Sequence, residues 1–156
     1  MSKKISRGQK MPDGRIYAGI SNDTGRKFYA APEDIVDAQG NRLRVTLDEA
    51  EKVAEQANLD HYLGCTTWRV PPRQELEQLR EAKDKGAFRE TFNSSARPYH
   101  EHFYHSSSRY PSGSCAFAMR MHDGVPDTAP LYLKEYVRLV SGPAAKHKAQ
   151  PLTPKP

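Results

Sequence analysis

The run Cys65-Thr66-Thr67-Trp68-Arg69-Val70-Pro71-Pro72-Arg73-Gln74-Glu75-Leu76-Glu77-Gln78-Leu79 constrains this chain more than any other stretch. It holds the single tryptophan, ends a strand-like segment at a double proline, and opens a helical pattern with Leu76 and Leu79 on one face. Proline fixes its own φ and disfavours helical backbone in the residue before it, so Val70 is expected to be extended. Pro72 suits the first helical position, where no N–H donor is needed. A large ring, a rigid corner and a helix start make a folding anchor rather than a reactive centre.

The rest of the chain reads outward from that anchor. Asp13-Gly14 and Asn22-Asp23-Thr24-Gly25 are turn signals that bracket two short strands, 15–20 and 26–30, as a hairpin. Residues 32–42 read as loop, with Gln39-Gly40-Asn41 as its turn. Residues 46–58 are the clearest helix: Thr46 and Glu49 form a capping box, and Leu47, Ala50, Val53, Ala54 and Ala57 share one face. The second helix is expected from about 72 to 83 or 85, with Gly86 as its stop and Ala87-Phe88 folding back on its end. Residues 115–121 alternate as a half-buried strand. Asp123-Gly124 opens a loop through 130, and 131–140 reads as the final strand. The expected fold is α+β: two helices packed on a small, twisted, mainly antiparallel sheet, with the N-terminal hairpin near the last strand. Residues 1–11 read as a flexible basic arm, 12–140 as a single domain, and 141–156 as a disordered Pro/Ala/Lys tail.

Charge needs the same partition. Of 156 residues, 24 are Lys or Arg and 19 are Asp or Glu, for a formal +5. The ends at 1–10 and 141–156 carry +7 and no acid, which leaves the body at −2. Basic ends attract polyanions at long range, whereas an almost neutral body argues against a broad phosphate-binding face. Cys65 and Cys115 are the only cysteines, and they form no Cys-x-x-Cys pair. They suit either one disulfide in an exported domain or two free thiols in the cytosol. No apolar run approaches membrane-spanning length, and residues 1–10 do not read as a secretory leader. The cytoplasm is therefore the default location, with delivery by a specialised secretion or phage apparatus as a second route.

Three pieces, taken in order, carry a family resemblance. They are 13–21 with Asp23-Thr24-Gly25; Thr67-Trp68-Arg69-Val70-Pro71-Pro72-Arg73-Gln74-Glu75-Leu76 with Leu79; and Gly86-Ala87-Phe88 followed by Tyr104-His105-Ser106-Ser107-Ser108 and a late Val137-Arg138. Together they resemble the bacterial domain described at the C-terminus of Legionella collagen-like proteins, a domain of unknown function. The resemblance implies a fold related to C-type lectins and to formylglycine-generating and sulfatase-modifying domains. It implies fold-defining roles for Trp68, Arg69, Pro71, Glu75 and Arg138, with Tyr104 to Ser108 as a central strand. It supplies no catalytic residues and no cofactor. His105 stands where the family's tryptophan is usual, and the calcium-binding signature of sugar-binding lectins is not apparent.

Three function classes follow. The first is a non-catalytic binding module for a protein or glycan. In lectin-like folds ligands meet loops between late strands, here 93–102, 108–114 and 122–130, with Arg109, Tyr110, His122 and Asp123 as the expected surface. The second is a small metal-dependent or thiol enzyme built on His100, His102 and His105 beside Glu101, a spacing that matches no standard zinc signature. Ser106, Ser107 and Ser108 lack a Gly-x-Ser-x-Gly elbow and read as hydrogen-bonding strand residues. The third is weak nucleic-acid affinity through the basic tails.

Overall fold

A computed structural model describes residues 4–93 and 102–144. Strands β1 (Ile16–Ile20) and β2 (Lys27–Ala30) form the expected hairpin, with a register shift between Tyr17 and Gly19. Helix α1 (Leu47–Leu59) follows, then β3 (Trp68–Arg69) and α2 (Arg73–Glu81). Strands β4 (Phe103–Arg109), β5 (Cys115–Arg120), β6 (Pro126–Pro130) and β7 (Val140–Ser141) complete the order. The class is α+β with two helices, and the strands make two small antiparallel sheets: β1-β2-β7-β3 and β4-β5-β6. The hairpin does meet the last strand, through Tyr29↔Ser141 and Ala30↔Val140. No described helix is long and apolar enough to cross a membrane.

Both helices begin where local chemistry places them. Thr46 Oγ1 accepts the Glu49 N–H, and Glu49 Oε1 accepts the Thr46 N–H, closing the capping box. Pro72 is the N-cap of α2 rather than its first residue, because its backbone is extended. Its carbonyl accepts the Leu76 N–H, while Ser108 of β4 accepts the Arg73 N–H. The hydroxyl of Ser106 donates to the Phe117 carbonyl across the sheet. These serines join elements, as hydrogen-bonding strand residues should.

The core forms two main clusters, and each draws on both sheets. Ile16, Phe28, Leu76, Leu79, Phe88, Tyr104, Phe117 and Met119 pack in one cluster. Leu47, Ala50, Ala54, Trp68, Val70, Ala116 and Val137 pack in the other. Phe88 is fully buried on a 3-10 turn at Gly86–Phe88, the expected plug on the α2 end. Trp68 is buried, its indole N–H donates to the Tyr62 carbonyl, and its ring lies 5.3 Å from that of Tyr62. Asn58, in the last turn of α1, accepts the Trp68 N–H at 2.6 Å and donates to the Trp68 carbonyl at 3.0 Å. A single side chain thus occupies the free edge of β3 as a neighbouring strand would.

Several expectations change. The final strand shrinks to β7: Leu131 and Tyr132 form a turn, and Glu135 and Tyr136 make only isolated bridges to Val45 and Tyr104. The expected loop at 126–130 is instead the edge strand β6, where prolines are tolerated because the edge needs no donor. β5 is buried on both faces, since Ala116 and Ala118 are as hidden as Phe117 and Met119. Val53 of α1 is exposed, which leaves a narrower apolar face. α2 stops at Glu81, short of Gly86. Arg80 lies across Gly124 with its Nε buried. The basic arm is not free to residue 11: the Gly8 N–H donates to the Tyr17 carbonyl, and the Tyr17 N–H to Gln9. Ser141, placed in the tail by the sequence, is buried in β7. The rest of the tail, from 145, lies outside the described residues.

Asn58 tests the tryptophan anchor. Asn58→Ala leaves two backbone groups of Trp68 without their partner and should destabilise the protein by roughly 2 kcal/mol. Chemical denaturation followed by Trp68 fluorescence checks this; an unchanged midpoint would show that the edge does not need Asn58.

Candidate functional site

Arginine and proline chemistry around Trp68 sets the first polar network. Arg69 is held beside α2 by the Pro71-Pro72 corner, and Glu75 sits in the first turn of that helix, fully buried. The guanidinium donates from Nη1 to Glu75 Oε1 at 2.8 Å and from Nη2 to Oε2 at 3.1 Å, a bidentate pair. Ser21 donates to Glu75 Oε2 at 2.6 Å and accepts the N–H groups of Asp23 and Thr24. Arg69 also donates to the carbonyls of Gly142 and Pro143. One ion pair therefore fixes the β1–β2 turn, α2 and the end of β7. Pro71, itself buried, accepts the Ser107 N–H and ties the corner to β4.

The second network is deeper. Arg138 and Asp34 have side chains 0% and 1% exposed, and Arg138 Nε donates to Asp34 Oδ1 at 2.9 Å. Asp34 Oδ2 accepts the Tyr104 hydroxyl at 2.5 Å and pairs with Arg42 Nε at 2.7 Å. Arg138 reaches the Ala31 carbonyl and Thr91, and its guanidinium stacks 4.0 Å from the Phe92 ring centroid. Tyr104 also accepts the Asn93 N–H. Burial, then the Asp34 charge, hold the Tyr104 hydroxyl well above its ordinary pKa, so it acts as a fixed donor. Asp34 was not legible as important, because a lone aspartate in a loop carries no pattern. An open, polar recess of about 330 Å³ lies above it, lined by Glu33, Val36, Gly40, Asn41 and Arg42.

Of the histidine set, His100 lies outside the described residues. His102 and His105 are buried. His105 Nε2 lies 2.9 Å from the Val45 carbonyl and 3.1 Å from that of Leu133, so the ring hydrogen belongs on that nitrogen. Burial pushes its pKa down and keeps it neutral; the two carbonyls pull the other way and are outweighed. His105 thus pins the 133–136 segment to β4, where the family's usual tryptophan would pack. Among the described residues, no group of three or more His, Cys, Asp and Glu could hold a metal ion.

Cys65 and Cys115 are free thiols, each half-buried. Burial raises the Cys65 pKa, but the hydrogen bonds of Thr67 outweigh it, joined by Ser141 and the Arg15 charge, and leave the thiol below its ordinary value.

The four expected surface residues do not converge. Arg109 and Tyr110 lie before β5, and His122 and Asp123 after it, so the six-residue strand sets them on the order of 20 Å apart. Arg109 bonds Glu51 of α1 at 3.0 Å, and Tyr110 packs on the first core cluster. Asp123 is held by a bidentate Arg120, which keeps its carboxyl far below the carboxylate range. Tyr132 lies at the same end of the β4-β5-β6 sheet as Arg109 and Tyr110. It is 80% exposed, on a turn tethered to the β4–β5 turn by the Leu131 N–H to the Ser114 carbonyl. In the sequence it stands only as one of several aromatics crowding the second half, in a stretch that reads as the start of a strand.

Comparison with known families supplies one match: the family described as the Lcl C-terminal domain matches residues 24–141. No curated protein matches the chain.

Two outcomes test this description. Asp34→Asn should destabilise the fold by about 3–5 kcal/mol, because it strands Arg138, while Asp34→Leu with Arg138→Met should recover much of that loss in urea titrations. Glu135 is 3% exposed, and burial, then the Asp127 charge, raise its pKa to about 7 against the pull of Arg44. The folded state therefore holds a proton that the unfolded state releases near pH 4.5, so this contribution to stability falls as pH rises from about 4.5 to 7. Glu135→Gln should flatten that slope in denaturation measured across pH 4 to 8; an unaltered slope would place the titration elsewhere.

Proposed function

The chain belongs to the Lcl C-terminal domain family, and from that premise we propose that it is a non-catalytic, C-type-lectin-like module that recognises a protein or glycan. The lectin-like kinship rests on the family resemblance; the two helices and paired antiparallel sheets are compatible with it. The recognition face is the end of the molecule where the β4–β5 turn and the 131–134 turn meet. Tyr132 is its anchor, with Arg109 and Tyr110 beside it. His122 and Asp123 contribute only to a partner long enough to reach along β5.

One observation carries this reading. Tyr132 is a large ring, 80% exposed, on a turn that hydrogen bonds fix on both sides: Leu131 to Ser114 and Leu133 to the Pro130 carbonyl. An aromatic held in water by an ordered backbone loses little further freedom on binding, which is what makes tyrosine effective in interfaces. By contrast, Arg69, Glu75, Arg138, Asp34, Tyr104 and His105 are bonded to one another or to backbone. Their geometry supports a structural use.

Proximity labelling in the native cell, with a glycan array alongside, should identify the partner. Tyr132→Ala should then weaken that binding at least tenfold, about 1.4 kcal/mol, with the unfolding midpoint unchanged. Arg109→Ala should weaken it less, since Glu51 already shares the guanidinium. A partner indifferent to Tyr132→Ala, or turnover of a bound molecule, would overturn the proposal.

A further inference from the structure

The basic N-terminal arm becomes part of the folded surface through one backbone contact. Gly8 (φ +93°) and Gly86 (φ +51°) lie face to face, and the Ala87 N–H donates to the Gly8 carbonyl at 2.8 Å. A Cβ on Gly8 would sit 2.5 Å from the Lys85 carbonyl oxygen, and one on Gly86 would sit 2.5 Å from the Gly8 oxygen. Neither position admits any other residue without moving the arm. The Gly8–Tyr17 and Tyr17–Gln9 bonds, with the Lys10↔Ile16 bridge, hold the other side of the arm against β1.

This lock gathers charge that is separate in sequence. Lys4, Arg7 and Lys10 of the arm are exposed, as are Lys85 and Arg89 of the turn that receives it. The acids nearby are Glu81, which lies 3.6 Å from Arg7, Asp84, which pairs with Lys83, and Glu90. A cationic excess remains on a surface whose backbone is fixed. None of its exposed side chains is aromatic or aliphatic, so it offers nothing for insertion into a membrane or for stacking on bases. Lys4 and Lys10 flank a hydrogen-bonded turn at Arg7-Gly8, with Lys85 and Arg89 alongside, and a fixed cluster of cations of this kind matches a polyanion contacted through its backbone.

We propose that this face, built by docking the arm on the Gly86 turn, binds the phosphate backbone of duplex nucleic acid without reading sequence. It is independent of the Tyr132 face. What the sequence presents as a charged tail is here a preorganised cluster around the Arg7-Gly8 turn, so binding depends on the glycine contact as well as on the charges.

The test is anisotropy of a labelled 20-base-pair DNA titrated with the full chain at several salt concentrations. Five phosphate contacts predict a log–log salt slope of about −4.5. Lys85→Glu with Arg89→Glu should make the slope shallower by about 2. Gly8→Ala changes no charge, yet it should weaken binding and flatten the slope as the arm leaves the cationic face; circular dichroism and the unfolding midpoint would confirm that the body stays folded. Three results would overturn the proposal: no duplex binding while a sulfated polysaccharide binds, salt-reversible self-association through the acidic face of α1 in place of binding, or full affinity in Gly8→Ala. Should Gly8→Ala fail to fold, the slope of the double charge reversal still decides between a contact surface and none.

Discussion

The buried pair of Arg138 and Asp34 is the constraint around which the other contacts are arranged. An arginine with no exposed side-chain area depends on acceptors inside the protein. Asp34 supplies the countercharge and accepts from Nε, the Ala31 carbonyl and the Thr91 hydroxyl accept from Nη1, and the Thr91 carbonyl accepts from Nη2. Meeting that demand fixes segments distant in sequence: the loop after β2, residues 91–93, Tyr104 in β4 and the approach to β7. A buried ion pair adds little net stability, because desolvation offsets most of the Coulomb gain. Its effect is selection, since alternative packings would leave a charge without a partner.

Arg69 and Glu75 repeat that logic at the other end of β7. The two ion pairs bracket the last segment of the chain: Arg138 lies just before β7, and Arg69 receives the carbonyls just after it. A strand of only two residues has few ladder bonds of its own. It persists because β2 and β3 flank it and because each of its ends runs into a paired guanidinium, Arg138 fully buried and Arg69 partly so. Arg69, Glu75, Arg138, Asp34, Tyr104 and His105 are bonded to one another or to backbone, so their geometry serves the fold.

The legible parts of the fold were those decided by neighbours in sequence. The Thr46–Glu49 box, the Pro71-Pro72 corner and the Asp23-Thr24-Gly25 turn are local, and each sits where its residues dictate. The misread parts depend on partners far away. Residues 131–140 alternate like a strand, but Glu135 and Tyr136 find only single bridges, and β6 takes the pairing instead because β5 presents its free edge there. His105 could be any polar strand residue until Val45 and Leu133 appear beside it. The arm read as free because nothing in residues 1–11 reveals that Gly8 faces Gly86. Of the candidate surface, loop position alone suggested Arg109, Tyr110, His122 and Asp123, and the length of β5 between the two pairs, which separates rather than joins them, is a matter of strand pairing that loop position does not carry.

The sheet edges decide what kind of recognition remains open. An unpaired strand edge invites addition of a partner strand, and each edge here is obstructed. β3 carries Asn58 on its free side, and β1 carries the docked arm. On β6 alternate residues share the outer edge: Pro126 and Pro130 have no N–H, and the Thr128 N–H donates to its neighbour Asp127. Among the described residues that edge therefore presents no free donor to an incoming strand. β4 is flanked by β5 on one side and by Tyr136 and Pro71 on the other. With strand addition blocked at each of these positions, the partners proposed above would have to be held by side chains. The exposed Tyr132 on its fixed turn and the cations of the docked arm are the surfaces that those proposals use.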